Sequence, residues 1–114
     1  MPICDRSGSP QWLDICRHRI RRQSVPYVVV IQHHLVPAVS RIVAPVVPAG
    51  GRPATLLAPR LDIGCVAHRA VLLEMSAVLL GMIGEVVGSA LADSDAIGDA
   101  LDAIFRGYPV GLPI

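Results

Sequence analysis

Lysine is absent: all 10 basic residues of this 114-residue chain are arginine. With the surplus of Ala, Val, Gly and Pro, that reads first as a coding bias. The functional alternative is arginine selected for bidentate contacts to anions. Charge of either sign is scarce, at 17% of residues against 53% hydrophobic, which is unusual for a soluble domain. One domain of this length leaves roughly a third of its surface exposed after folding. The apolar surplus must therefore be covered by a second subunit or meet lipid. Cysteine is scarce too. Cys4, Cys16 and Cys65 are odd in number and share no motif spacing, which excludes a disulfide framework and a zinc signature and fits a reducing, cytoplasmic setting. Met1-Pro2-Ile3-Cys4-Asp5-Arg6 lacks the apolar run of a signal peptide. There is no internal repeat, no Ser-His-Asp or Cys-His arrangement, and Gly81, Gly84 and Gly88 match no phosphate loop. No cofactor, metal or catalytic residue is called for.

The clearest element lies near the end of the chain. From Ser94 to Arg106, Ile97, Ala100, Leu101, Ile104 and Phe105 fall at helical spacing and make one apolar stripe. Asp93, Ser94 and Asp95 offer capping oxygens and negative charge at its start. Gly107 follows Arg106 and suits a helix stop. Earlier segments read as strands. Trp12 to Arg17 alternates loosely, Tyr27 to Ile31 is densely β-branched, and Arg41 to Val47 is apolar with Pro45 inside it, which predicts an edge or bulged strand. Leu61–Ile63 and Val66–Leu73 predict a hairpin around Gly64-Cys65. Strands first and one helix last predict a single small β-rich domain over residues 11–108. Residues 1–10 form a polar extension, and 109–114, with Pro109, Gly111 and Pro113, a non-helical tail.

Several constellations carry a functional and a plain reading. Charge is uneven: residues 1–57 hold seven Arg against two Asp, and 58–114 hold three Arg against seven acidic residues. Arg17-His18-Arg19-Ile20-Arg21-Arg22 is a phosphate-binding patch or a solvated connector; the connector is favoured. His33-His34 are adjacent, and neighbours on a strand face opposite ways, which argues against a metal site. His68 sits in an apolar strand as a core or interface residue. Asp95, Asp99 and Asp102 share the polar helix face, which solvation explains. Val71 to Ala92 is long enough to span a bilayer. Glu74 and Glu85 are costly there, and three glycines interrupt it, so a buried strand-and-turn segment is the better reading.

The order of these segments resembles the CcdB family of plasmid-maintenance and chromosomal toxins. Leu61-Asp62-Ile63-Gly64, Glu74-Met75-Ser76-Ala77-Val78, Ile83-Gly84-Glu85-Val86-Val87 and Ile104-Phe105-Arg106-Gly107-Tyr108 stand in the family's order and register. Upstream, Tyr27-Val28-Val29-Val30-Ile31-Gln32 and Arg41-Ile42-Val43-Ala44-Pro45 resemble two family strands, and Leu13-Asp14-Ile15-Cys16-Arg17 a first one. The resemblance implies a small, partly open, barrel-like antiparallel sheet with a C-terminal α-helix. It implies a cytoplasmic homodimer that is not an enzyme, binds the DNA gyrase A subunit and traps its cleaved-DNA complex. It also implies a cognate antitoxin, with operator DNA bound only together with that antitoxin for transcriptional autoregulation. The implied gyrase contacts are Arg106, Gly107 and Tyr108.

At the contact itself the chain departs from the family. There the family carries Trp-Gly-Ile, and the Trp stacks on a gyrase arginine. Here Arg106 takes the Trp position, Tyr108 is the nearest aromatic to replace it, and a tail follows. An aromatic face attracts a guanidinium; a second guanidinium repels it. The expectation is a conserved fold and antitoxin contact with weakened gyrase poisoning. The rival reading is an endoribonuclease toxin of the MazF and Kid type. It would use Arg17, Arg19, Arg21 and Arg22, with Asp14 or His18 as the base. A third reading is an apolar, membrane-associated interaction module.

Overall fold

Consecutive residues of a strand face opposite ways, so an unbroken apolar run such as Tyr27-Val28-Val29-Val30 requires cover on both sides. The computed structural model, which describes residues 9–18 and 26–107, provides that cover. Seven strands make one sheet: β1 (Asp14–His18), β2 (Tyr27–Val30), β3 (Ser40–Pro48), β4 (Arg60–Ile63), β5 (Val66–Ala70), β6 (Ser76–Leu79) and β7 (Ile83–Ser89). All pairings are antiparallel, in the order β4-β5-β3-β2-β1-β7, with β6 also on β3. The sheet curls into a half-barrel, and α1 (Ser94–Arg106) follows it. The expected mainly-β architecture with a C-terminal helix is the one observed.

Two apolar clusters lie on the two faces of the sheet. Leu13, Ile15, Val29, Ala44 and Val46 join Leu61, Leu72, Ile97 and Ala100 on one face. Cys16, Val28, Val30, Val43 and Ile83 gather on the other. The alternation 13/15 against 16, 29 against 28/30, and 44/46 against 43 is the period of two written into three adjacent strands. Helix α1 covers the first face through Ile97 and Ala100, packing on the 3-10 turn Leu72–Glu74.

Pro45 is not at an edge. Strand β3 lies inside the sheet, with β2 on one side and β6 then β5 on the other. Ile31 N–H donates to Ile42 O at 2.9 Å, so the alternation of the ladder makes Val28–Pro45 a pair that exchanges no hydrogen bonds. On the far side Pro45 falls between Val43–Ser76 and Val46–Ala70, where β3 changes partner, and its carbonyl accepts Val71 N–H at 2.9 Å. A residue without an N–H is tolerated at that change of partner.

The 71–92 stretch divides into short pieces: the turn Leu72–Glu74, β6, the turn Leu80–Met82, β7 and the turn Leu91–Asp93. Among the described residues no helix is long and apolar enough to cross a membrane. β7 pairs with β1 through two register shifts, between Ile15 and Cys16 and between Cys16 and His18. Such bulges bend a strand. The hairpin falls where expected. Gly64 and Cys65 both have positive φ, 56° and 66°, as a two-residue type I′ turn demands.

The helix starts at Ser94 and ends at Arg106, where periodicity and the glycine stop placed it, but its cap differs. Asp93 occupies the cap position without a side-chain hydrogen bond. The Ser94 N–H donates to Leu91 O of the preceding 3-10 turn, so one of the four orphan donors at the helix start is satisfied without a cap. The stripe also ends early: Ile97 is 2% exposed and Phe105 70%.

Two stability outcomes follow. Ile97→Ala is expected to cost about 2–5 kcal/mol, against less than about 0.5 kcal/mol for Asp99→Ala, measured by urea unfolding. A Cβ on Gly84 would lie 2.8 Å from the Arg17 carbonyl oxygen, whereas one on Gly88 meets only the Ile15 side chain, Cδ1 at 3.8 Å and Cβ at 4.0 Å. Gly84→Ala is therefore expected to destabilise by about 1–3 kcal/mol. Gly88→Ala is expected to be neutral or to gain a few tenths, in the same assay.

Candidate functional site

The last turn of α1 is where the predicted contact residues begin. Ile97 and Ala100 hold the helix to the core, and the stripe loses its cover toward the C-terminus. Phe105, Arg106 and Gly107 are all exposed. Gly107 adopts the left-handed conformation, φ 76°, and its N–H reaches the carbonyls of Ala103 and Asp102. A left-handed residue at this position ends the helix and turns the chain sharply. Glycine takes it without the Cβ penalty. Arg106 Nη1 lies 4.0 Å from Asp102 Oδ1, with both side chains more than half exposed, a weak pair in water. Its positive charge also sits favourably at the negative end of the helix dipole. Arg106 and Gly107 are thus presented together at a helix terminus. Tyr108 lies outside the described residues.

The arginine-rich connector offers the alternative site. Arg19, Arg21 and Arg22 lie outside the described residues, as does Cys4. Arg17 is described: its Nε donates to Glu85 Oε1 at 2.9 Å, and its guanidinium carbon lies 5.7 Å from the centre of the Tyr27 ring. Asp14 is 2% exposed, and its carboxylate accepts Gln11 N–H at 2.8 Å. His18 lies four residues further along β1, roughly 13 Å away on strand geometry. The two candidate bases therefore do not converge on one reacting atom. His18 borders a cleft of about 450 Å³ with Val28, Val43, Glu74, Ser76 and Met82, and its Nδ1 is buried without a hydrogen-bond partner.

The remaining predicted residues fall as follows. His68 is 5% exposed; its Nδ1 contacts Val66 O at 2.8 Å, and its ring meets Tyr27 edge-on. It is a satisfied core residue. Asp95, Asp99 and Asp102 are exposed on the polar face of α1, as expected. Cys16 is buried and Cys65 is exposed. Among the described residues no three His, Cys, Asp or Glu side chains gather as a metal site. His33 and His34 are not on a strand: they sit in the β2–β3 loop with their rings stacked, centroids 4.3 Å apart. Strand alternation does not apply there, and periodicity carried no signal of the stack.

Compared individually with curated proteins, the chain matches none. The sequence pattern of one family, described as CcdB protein, matches residues 14–107. That span runs from the first residue of β1 to the glycine that stops α1, so it covers every strand and the helix. The chain belongs to the CcdB family.

Proposed function

We propose that this chain is the toxin half of a toxin–antitoxin pair, acting in the cytoplasm as a homodimer on the DNA gyrase A subunit. The observation that carries the reading is the family match over residues 14–107. The toxin makes and breaks no bond itself and needs no cofactor. It holds gyrase in its cleaved-DNA state by occupying a surface, with Arg106, Gly107 and Tyr108 as the contact. The exposed end of α1 suits such a role, because a helix anchored in the core presents Arg106 and Gly107 at its terminus. A cognate antitoxin neutralises the dimer, and the two together repress their own operator. Exposed Leu35, Val39, Leu73, Leu79, Leu91 and Phe105 support a dimer, since so much apolar surface on a small chain asks for cover.

Arg106 weakens the gyrase contact. A Trp in that place would gain a cation–π interaction with an arginine of the target, about 0.5–2 kcal/mol, whereas Arg106 adds repulsion. Arg106→Trp is therefore expected to tighten binding to purified gyrase A subunit by about three- to thirty-fold. It is also expected to increase cleaved-DNA accumulation when the toxin is expressed without antitoxin in a gyrase-sensitive host. Equal killing and equal cleaved DNA from the parent and the variant would sink the weakened-contact reading. RNA cleavage by the purified protein, abolished by Arg21→Ala, would replace the gyrase reading with the ribonuclease one. Sedimentation is expected to return twice the 12.1 kDa chain mass.

A further inference from the structure

An edge strand leaves a row of backbone N–H and C=O groups without partners. Among the described residues three strands have a free edge: β4 and β7 end the sheet order, and β6 pairs only with β3. Two of these edges are blunted. β4 carries Arg60 and Asp62, and β7 carries Glu85, two glycines and two register shifts. Charge, glycine and bulges all discourage pairing. β6, Ser76-Ala77-Val78-Leu79, has no charge, glycine or proline.

The ladder fixes which groups of β6 face outward. Leu80 N–H donates to Val39 O at 3.0 Å, one step beyond the Ser40–Leu79 pair. Bonded and non-bonded pairs alternate in an antiparallel ladder. Val78 and Ser76 therefore bond to Arg41 and Val43 of β3, whereas Ala77 and Leu79 make no bond to it. Ile42, opposite Ala77, agrees. Its carbonyl accepts Ile31 N–H at 2.9 Å and its N–H donates to Gln32 Oε1 at 3.1 Å, both away from β6. Ala77 and Leu79 thus each turn an N–H and a C=O outward.

The cleft of about 450 Å³ that His18 borders lies beside this edge. Ser76 shares a face with Val43 through their pairing, and Ala77 and Leu79 point the other way. A cleft touched by all four residues of β6 runs along the edge of that strand. Its floor is apolar, with Val28, Val43, Pro45 and Val78. Glu74 lines it just before β6 begins and is exposed. The outward backbone groups call for a strand, the floor for apolar side chains and Glu74 for a cation. A second copy of this chain fits less well. Two β6 edges paired about a twofold axis at Val78 bring only a valine and a serine to the cleft, too little for its volume.

We propose that the outer edge of β6 docks an extended peptide as a further antiparallel strand. The peptide sends large apolar side chains from alternate positions into the cleft and sets a basic residue near its C-terminal end beside Glu74. Main-chain bonds to Ala77 and Leu79 supply affinity, and the cleft and Glu74 supply selectivity. The site does not depend on the gyrase reading.

Peptide titration followed by amide exchange on the full chain tests this. The probe is a capped synthetic peptide of alternating Leu and Thr with Arg at its C-terminal end. At about ten times its Kd, protection of the Ala77 and Leu79 amides is expected to rise about tenfold. Ser76 and Val78, already bonded to β3, should change less than about twofold. Leu in the cleft sets the Thr amides opposite Ala77 and Leu79, so N-methylation of Thr should abolish binding and N-methylation of Leu should not. Leu79→Pro removes an outward N–H at a residue whose φ, −58°, proline adopts, and no bond to β3 is lost. It should bind the peptide about tenfold more weakly than Leu79→Ala. Glu74→Gln should weaken binding about two- to fivefold at low salt. No binding up to about 1 mM peptide, or binding without protection of Ala77 and Leu79, overturns the proposal. Equal affinity of Leu79→Pro and Leu79→Ala does the same, and unchanged affinity in Glu74→Gln overturns the basic partner. A free chain in which Ala77 is already protected, and which falls to monomer mass in Leu79→Pro, shows a second copy on the edge and overturns the peptide. Should Leu79→Pro not fold, the two N-methylated peptides decide on the parent protein, and equal binding of both overturns strand addition.

Discussion

The burial of both faces of the central strands governs the rest of this molecule. β1, β2 and β3 send alternate residues into two separate clusters, with Ile15, Val29, Ala44 and Val46 on one side and Cys16, Val28, Val30 and Val43 on the other. Each large aliphatic side chain fully buried in this way contributes about 1.5–3 kcal/mol. The ion pairs Arg17–Glu85, Arg60–Asp62 and Arg106–Asp102 are all more than half exposed, a class worth about 0–1 kcal/mol. Apolar packing therefore decides the fold, and the scarcity of charge in the sequence is its counterpart. A sheet buried on both faces needs two covers. One is α1. The other comes from the sheet itself, which curls so that Val78 of β6 and Val86 of β7 pack against the second cluster.

That curl depends on β3. At nine residues it is the longest strand, long enough to pair with β6 over its first half and β5 over its second. The change of partner sits beside Pro45, the residue that can best do without a donor. The same construction leaves α1 anchored at Ile97 and Ala100 and uncovered at Phe105 and Arg106.

Local chemistry that agreed with the tertiary fold was legible in the sequence. The helix over 94–106 was, because a 3.6-residue stripe and a terminal glycine pointed to the same answer. So was the hairpin at Gly64-Cys65, although φ 66° at Cys65 is an uncommon demand on a residue with a Cβ. The central place of Pro45 was not, because nothing in its neighbours shows that β3 changes partner there. Asp93 looked like a capping residue, and it holds the cap position without a side-chain capping bond. The apolar stripe counted Phe105 as core, since periodicity gives a face but not the length of its cover. Of the candidate site, Arg106 and Gly107 were reached through family resemblance and not through their own chemistry. The histidine stack escaped both routes, being a property of a loop.

The start of β1 shows how a strained residue is held at the edge of a packed core. Leu13 is fully buried in the left-handed region, φ 62°, a conformation that costs a residue with a side chain roughly 1–2 kcal/mol. It persists because its surroundings over-determine it. Leu13 N–H donates to Val30 O and Leu13 O accepts Ala90 N–H, both at 2.8 Å, and Asp14 N–H donates to Gln11 O at 3.0 Å. Asp14 also returns a side-chain bond to Gln11 N–H. The turn is thus locked by contacts to β2, to the segment leading into α1 and to itself, none of which involves a histidine.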